Sequence, residues 1–457
     1  MTNSSHSIPK LNSNNIDFYE LIESIITRSR KIGADEAFAS VANNVGLSVS
    51  TRNNDIETVE QSNDFSIDIT MYAGQCYGSA STSDFSQSAI DEAIQAAWHL
   101  ARHTAFDSAA GLPDINLLAT KFPDLHLHHV WPIDVEEAVK IAIRAEQSAL
   151  KLSNDLAKIT VDESMVKTSE GYFVIGNSLK FFGGYSYSCH SLSIATISSY
   201  DNEMQQSYWY TSNRNPLLLD NPENVGYISA KRSQARLKAR RIHTGKFPIL
   251  FEAPVALSLL GHFTQAVNGG ALYRNASFLV NSIGKQIFPN HIDIIEDPYI
   301  IGGMGSTSFD NEGVQTHFRK IVNKGILEGY FLSTYTARKL GLRTTGNSGG
   351  THNLTLESCK TQKSDNLESM IRKMKKGLLV TELIGQGVNY VTGDYSRGIF
   401  GFWVENGEIQ HAVQEVTIAG NLLDIFQKIV AVGSDTICRG TKTTGSILIE
   451  NMMIAGS

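Results

Sequence analysis

TELIGQGVNYVTGDYSRGIFGFWVENG, running from Thr381 to Gly407, is the stretch that decides the fold. Short runs rich in β-branched and aromatic residues alternate in it with glycines, which is the pattern of strands joined by tight turns. Strands are predicted over 378–383, 388–392 and 398–405, with a further one over 408–411. Asn406-Gly407 falls between the last two, and that dipeptide tolerates the left-handed backbone of a two-residue hairpin. Glycines within strands mark bulges or close approaches of another chain. A surface of this kind can take an extended peptide by strand addition. The alternative is a set of ordinary tight turns in a β-rich domain, and composition does not choose between the two.

Working outward, 326–334 and 446–450 also read as strands, so the β-rich region extends to the C-terminus. On its N-terminal side, FPILFEAPVALSLLGHFTQAV (Phe247–Val267) reads as a buried strand over 247–251 and an apolar helix over 254–267 with Pro254 in its first turn. Upstream the pattern changes. Phe18, Leu21, Ile22, Ile25 and Ile26 recur at helical spacing, and Gly33 ends that helix. Alternating segments at 37–41, 47–51 and 66–72 predict strands, and 86–103 predicts a second helix. Residues 104–133 carry Pro113, Pro123 and Pro132 and read as a boundary. A helix capped by Asp134 runs to about 152, strands follow from about 159 to 210, and 223–241 reads as a basic helix. The expected class is therefore α+β. An N-terminal helix and antiparallel-strand domain covers 16–120, a middle segment 121–242, and a β-rich C-terminal domain 243–457.

Bulk properties narrow the function. The chain has 457 residues, 42% hydrophobic and 19% charged, with a formal charge of −7. That balance gives no global attraction to nucleic acid or to an anionic membrane. The four cysteines, Cys76, Cys189, Cys359 and Cys438, are far apart and form no CxxC, so neither a disulfide framework nor a four-cysteine zinc site is expected. The N-terminus is polar with no apolar signal core, residues 1–15 read as a disordered leader, and no uncharged run reaches the ~18 residues of a membrane span. The expected compartment is the cytoplasm.

Catalytic motifs are scarce. None of the thirteen histidines is followed by Glu, the residue that a zinc peptidase places beside its first ligand to activate water. His99 and His103 share a predicted helix face, but Leu100 leaves no base beside His99; His126, His128 and His129 cluster in a Pro-flanked connector, where no Cys or nearby carboxylate pair completes a site. There is no G-x-S-x-G, no P-loop and no Cys-His signature. The basic run Lys231–Arg241 carries an apolar stripe through Leu237 and its alanines, as a solvated helix does.

Several separate blocks nonetheless fall in one recognisable order. They are GADEAFASV (Gly33–Val41), GGALYRNASFLVNSIGKQI (Gly269–Ile287), FDNEGVQT (Phe309–Thr316), YTARKLGL (Tyr335–Leu342), the run Gly377–Gly407, TIAGN (Thr417–Asn421) and the closing Ile454-Ala455-Gly456. From about residue 20 to the end the chain resembles the TldD/PmbA family, and most closely its PmbA (TldE) branch. The resemblance implies a two-protein metalloprotease, a heterodimer whose TldD-like subunit holds zinc through an H-E-x-x-x-H helix and a distant Cys. It implies cleavage of unfolded peptides, with leader-peptide removal and antitoxin turnover as roles, and the family has also been described as a modulator of DNA gyrase. The motif does not carry over. The matching helix, Ala256–Gly270, holds His262 followed by Phe263, and Val267 stands five positions on. Cys438, in DTICRGTKTTGS, is not placed on the ligand cysteine and has no companions.

The expectation is thus a partner subunit with no catalytic residue and no metal of its own, zinc lying in the TldD-like subunit. The expected peptide-chamber wall is Thr381, Gly385, Gly387, Gly393 and Asp394. The sequence leaves open a homodimer when the partner is absent, a symmetric dimer being the usual form of soluble oligomers. Two other readings compete: an autonomous metallopeptidase using His262 or His126 and His128, and a DNA- or topoisomerase-associated regulator acting through Lys231–Arg241.

Overall fold

The computed structural model describes residues 17–456; the polar leader read at 1–15 lies outside the described residues. The first helix, α1 (Phe18–Lys31), starts where the Asp17 carboxylate accepts the Tyr19 amide at 2.8 Å, and it buries Phe18, Ile22, Ile25 and Ile26. Three strands follow, β1 (Glu36–Arg52), β2 (Asp55–Ala73) and β3 (Cys76–Thr82), and then helix α2 (Gln87–His103). After the proline-bearing connector come α3 (Val135–Leu150), β4 (Lys158–Asn177), β5 (Phe182–Tyr200), β6 (Glu203–Asn213) and α4 (Pro222–Ala235).

The two segments predicted over 37–41 and 47–51 are one continuous 17-residue strand, because the intervening Asn43, Asn44 and Gly46 stay in register with both neighbours. The six strands form one antiparallel sheet in the order β3-β2-β1-β4-β5-β6, with β1 at its centre pairing with β2 and β4. The sheet therefore draws strands from both sides of residue 120. One face carries α1 and α2 over Ala37, Ala39, Val41, Ile67 and Ile69. Further along, α3 and α4 cover Val49, Val161, Leu192 and Ile194. Packing α3 closely is possible because its buried stripe is Ala138, Ala142, Ala145 and Ala149.

The C-terminal part opens with β7 (Gly245–Phe251) and α5 (Ala253–Ala266), then α6 (Gly269–Tyr273). A six-stranded sheet is built from β8 (Ile292–Asp297), β9 (Arg319–Asn323), β10 (Ile326–Leu327), β11 (Asn353–Ser358), β17 (Ile437–Arg439) and β18 (Lys442–Thr444). Between its members lie α7 (Thr334–Leu340) and α8 (Leu367–Met374). The remaining elements are β12 (Gly377–Ile384), β13 (Val388–Asn389), β14 (Asp394–Glu405), β15 (Glu408–Asn421), α9 (Leu422–Gln427), β16 (Ile429–Val432) and β19 (Ile447–Ala455). Their pairing closes on itself: β12 bonds to both β7 and β14, β14 to β15, β15 to β19, and β19 back to β7. Alternation divides each strand between two cores. Ile249, Phe251, Leu378 and Val380 face α5 with Leu260 and Phe263, while Leu250, Leu379 and Leu448 face α8 with Met370 and Met374.

Several predicted boundaries move, and the strand read over 388–392 keeps only Val388 and Asn389 before a turn. The strand read over 326–334 keeps only Ile326 and Leu327, since the Ser333 hydroxyl accepts the Thr336 amide and starts α7 at Thr334. The basic helix read over 223–241 stops at Ala235, because Lys238 takes a left-handed φ of 61° and Arg240 then bridges to Val413 of β15. Among the described residues, no helix is long and apolar enough to cross a membrane.

Candidate functional site

Helix α5 is apolar almost all round, the composition of a helix packed on several sides. It holds the single histidine that the sequence places where a metal motif would fall. His262 is 8% exposed. Its Nδ1 meets the Tyr390 hydroxyl at 2.8 Å, while Nε2 is buried without a hydrogen-bond partner. The ring stands edge-on to Tyr395, 5.7 Å between centroids. Burial, with a smaller push from the Arg397 guanidinium, drives the imidazole pKa down to about 4, so the ring is neutral near pH 7.

A neutral imidazole is what zinc requires, but the surroundings do not fit the ion. The charge facing His262 is the cationic Arg397, and the neighbouring groups are phenols whose pKa values burial raises. Among the described residues, no three His, Cys, Asp or Glu side chains converge as a metal site needs.

The other histidines are engaged locally. His128 Nε2 pairs with the Glu170 carboxylate at 3.0 Å, and His129 Nε2 lies 3.1 Å from the His126 carbonyl. His126 has a left-handed φ of 49°, so the connector is irregular there and the two-residue alternation that would align His126 with His128 is absent. His99 and His103 stack on each other at 4.3 Å, with His103 Nδ1 on the His99 carbonyl. The basic run is largely tied down. Arg232 forks onto Glu252 at 2.7 and 2.8 Å, Arg236 pairs with Glu382 and stacks on Phe400, and Arg241 pairs with Glu415.

Arg232, Arg236 and Glu382 line a cleft of about 640 Å³ between the two parts of the molecule. One wall is β6, where the consecutive residues Ser207, Tyr208, Trp209 and Tyr210 all reach the cleft. Strand β6 is the edge of its sheet. The opposite wall is one face of α5 (Pro254, Leu257, Ser258 and Gly261) with Thr381, Glu382 and Leu383 of β12. Arg397 of β14, Arg439 of β17 and Lys442 of β18 complete it.

Of the five residues expected as a chamber wall, the structure brings Thr381 to this cleft. Gly385 and Gly387 lie in the exposed turn after β12, and Asp394 is exposed at the start of β14 beside buried Gly393. At Gly387 a Cβ would meet the Ser396 carbonyl at 2.0 Å, so the glycine serves the turn's own packing. The cationic members Arg397, Arg439 and Lys442 and the aromatic wall on β6 were missed. They come from four strands scattered over more than half the chain, and no spacing announces that they meet.

Three family models match successive parts of the chain: PmbA/TldA metallopeptidase domain 1 over residues 38–101, its central domain over 128–237 and its C-terminal domain over 244–456. The chain is 43% identical over 423 residues to "Metalloprotease PmbA" of Escherichia coli O157:H7, covering 93% of both chains. It superimposes with a TM-score of 0.90 on a Bacteroides thetaiotaomicron structure described as a candidate modulator of DNA gyrase, at 25% identity over 98% of this chain and 100% of that one. TldE from Thermococcus kodakarensis shares the fold, with a TM-score of 0.79 at 21% identity over 95% and 99% of the two chains.

Proposed function

This chain belongs to the PmbA/TldD metallopeptidase family, and we propose that it is the subunit of a two-chain peptidase that does not hold the metal. In this reading a TldD-like partner supplies zinc and the water-activating carboxylate. The chain supplies part of the wall that keeps an unfolded peptide extended, with Thr381 on the cleft and Gly385, Gly387, Gly393 and Asp394 on the adjoining turns. The substrates are unfolded peptides, such as leader peptides and antitoxins, and the compartment is the cytoplasm.

The observation that carries the reading is the surroundings of His262. On the helix where the family's motif is expected, the one imidazole is bound to a tyrosine hydroxyl and faced by a guanidinium, and Phe263 and Val267 stand where Glu and the second His are required. The chain's own contribution is then to bind and orient substrate rather than to activate water. The end of β12 beyond Val380, which pairs with β14 alone, and the edge strand β6 offer backbone groups for that purpose.

The test is to purify the chain alone, without a metal-binding tag, and together with a TldD-like partner. The expected result is well under one zinc per chain in isolation, co-purification of the two, and peptide cleavage only by the pair. A full zinc equivalent that survives dialysis, with chelator-sensitive cleavage by the chain alone, would overturn it.

A further inference from the structure

Two of the five cations along the cleft are matched, Arg232 by Glu252 and Arg236 by Glu382. Three are not. Arg397 is 9% exposed, and its one hydrogen bond is a long one from Nε to the Ile384 carbonyl at 3.4 Å. Arg439 lies with its guanidinium 3.7 Å above the Tyr210 ring and 4.5 Å from Trp209, and its Nε is buried without a partner. Lys442 joins them from the next strand. None of the three has a carboxylate within salt-bridge distance among the described residues.

Holding unneutralised guanidinium groups in a partly buried position is costly, and a fold tolerates it where an anion completes the site. The first turn of α5, with Pro254 and Val255 on the cleft, turns the positive end of a 14-residue helix toward the same space. The two guanidinium forks match the planar geometry of carboxylates. The rest of the lining favours a peptide over a nucleotide. Four successive residues of β6, the edge strand of its sheet, line the space, and an edge strand can recognise an extended backbone, whereas the lining of the cleft includes no glycine-rich nest of amides for a phosphate.

We propose that the cleft between β6 and α5 is a receptor for peptide carboxylates, in which Arg397, Arg439 and Lys442 hold a C-terminal carboxylate or the side chains of an acidic segment. This deepens the reading above by naming the chemistry of the peptide that the chain retains. It is tested on the chain alone, so its failure leaves the partnership test untouched.

The experiment is fluorescence anisotropy with a labelled eight-residue peptide rich in Asp and Glu and ending in a free carboxylate. Three companions are used: the same peptide amidated at its C-terminus, one with Asn and Gln replacing Asp and Glu, and one carrying both changes. Binding by the wild-type chain should weaken as salt rises. R439Q and K442Q should each lower affinity about tenfold, and R397Q about tenfold or more. R439Q and K442Q alter half-buried residues and keep the test valid if R397Q misfolds. Loss with the amidated peptide assigns the terminal carboxylate, and loss with the neutral peptide assigns the acidic side chains. Equal binding of acidic and fully neutral amidated peptides, unchanged affinity in R439Q and K442Q, or displacement of the peptide by a tighter-binding single-stranded oligonucleotide would each overturn the proposal.

Discussion

His262 shows how one residue's chemistry is set by what surrounds it. In the unfolded chain the imidazole titrates near its ordinary value of 6.5, whereas in the fold burial and Arg397 bring it to about 4. Between those values the unfolded state binds a proton that the folded state does not, so stability falls as pH drops from about 6.5 toward 4 and is unaffected above that window. From pH 7.5 to 5 this group alone should remove about 2 kcal/mol of unfolding free energy. Urea titrations of the wild type and of H262Q at both pH values check it: the wild type should lose that much more than the variant, and parallel losses would mean that His262 is protonated in the fold. The residue's identity was plain from the sequence, but its lack of carboxylate company was not. Neighbours within four positions on α5 could be read, whereas Tyr390, Tyr395 and Arg397 lie more than a hundred residues downstream.

At the level of elements, local rules carried most of the weight. Asp17, Ser86 and Asp134 accept amides at the starts of α1, α2 and α3, as short oxygen-bearing side chains before an apolar run should. The hairpin between β14 and β15 turns through Asn406 and Gly407 at φ 54° and 77°. In G407A the added Cβ must adopt that left-handed backbone and would stand 3.1 Å from the Arg372 Cα, so the variant should lose about 1–2 kcal/mol in denaturant unfolding. A change below a few tenths of that would show that the turn relaxes freely. Where local rules failed, a longer-range partner had intervened. Paired strands on both sides carry β1 through its asparagines, and Arg240 leaves the helical path to bridge to Val413.

Over the whole molecule, a few buried arginines connect the parts. Arg214 is 7% exposed, and its guanidinium donates to the carbonyls of Gly303, Met304, Ser188 and Leu127, tying β5, the connector and the loop after β8 to one another. R214L would leave those carbonyls without their donor, and a loss of about 3–5 kcal/mol is expected. Thermal unfolding together with limited proteolysis of the 298–308 loop checks it; an unchanged cleavage rate there would mean that the loop is held by other contacts. The α+β class, the β-rich C-terminal region and the family were legible in the sequence because they rest on short-range patterns: apolar periodicity, capping residues, glycine-bounded strands and motif blocks in order. The ring of strands, the single sheet spanning residue 120 and the cationic cleft were not, since each depends on pairing between residues far apart in the chain. By itself, then, the sequence determined which segments form helices and strands and that α5 lacks the residues of a zinc motif. Only the tertiary structure decided that Arg397, Arg439 and Lys442 meet unpaired beside Tyr210, because charge compensation is settled in space and a cation's neighbours cannot be counted along the chain.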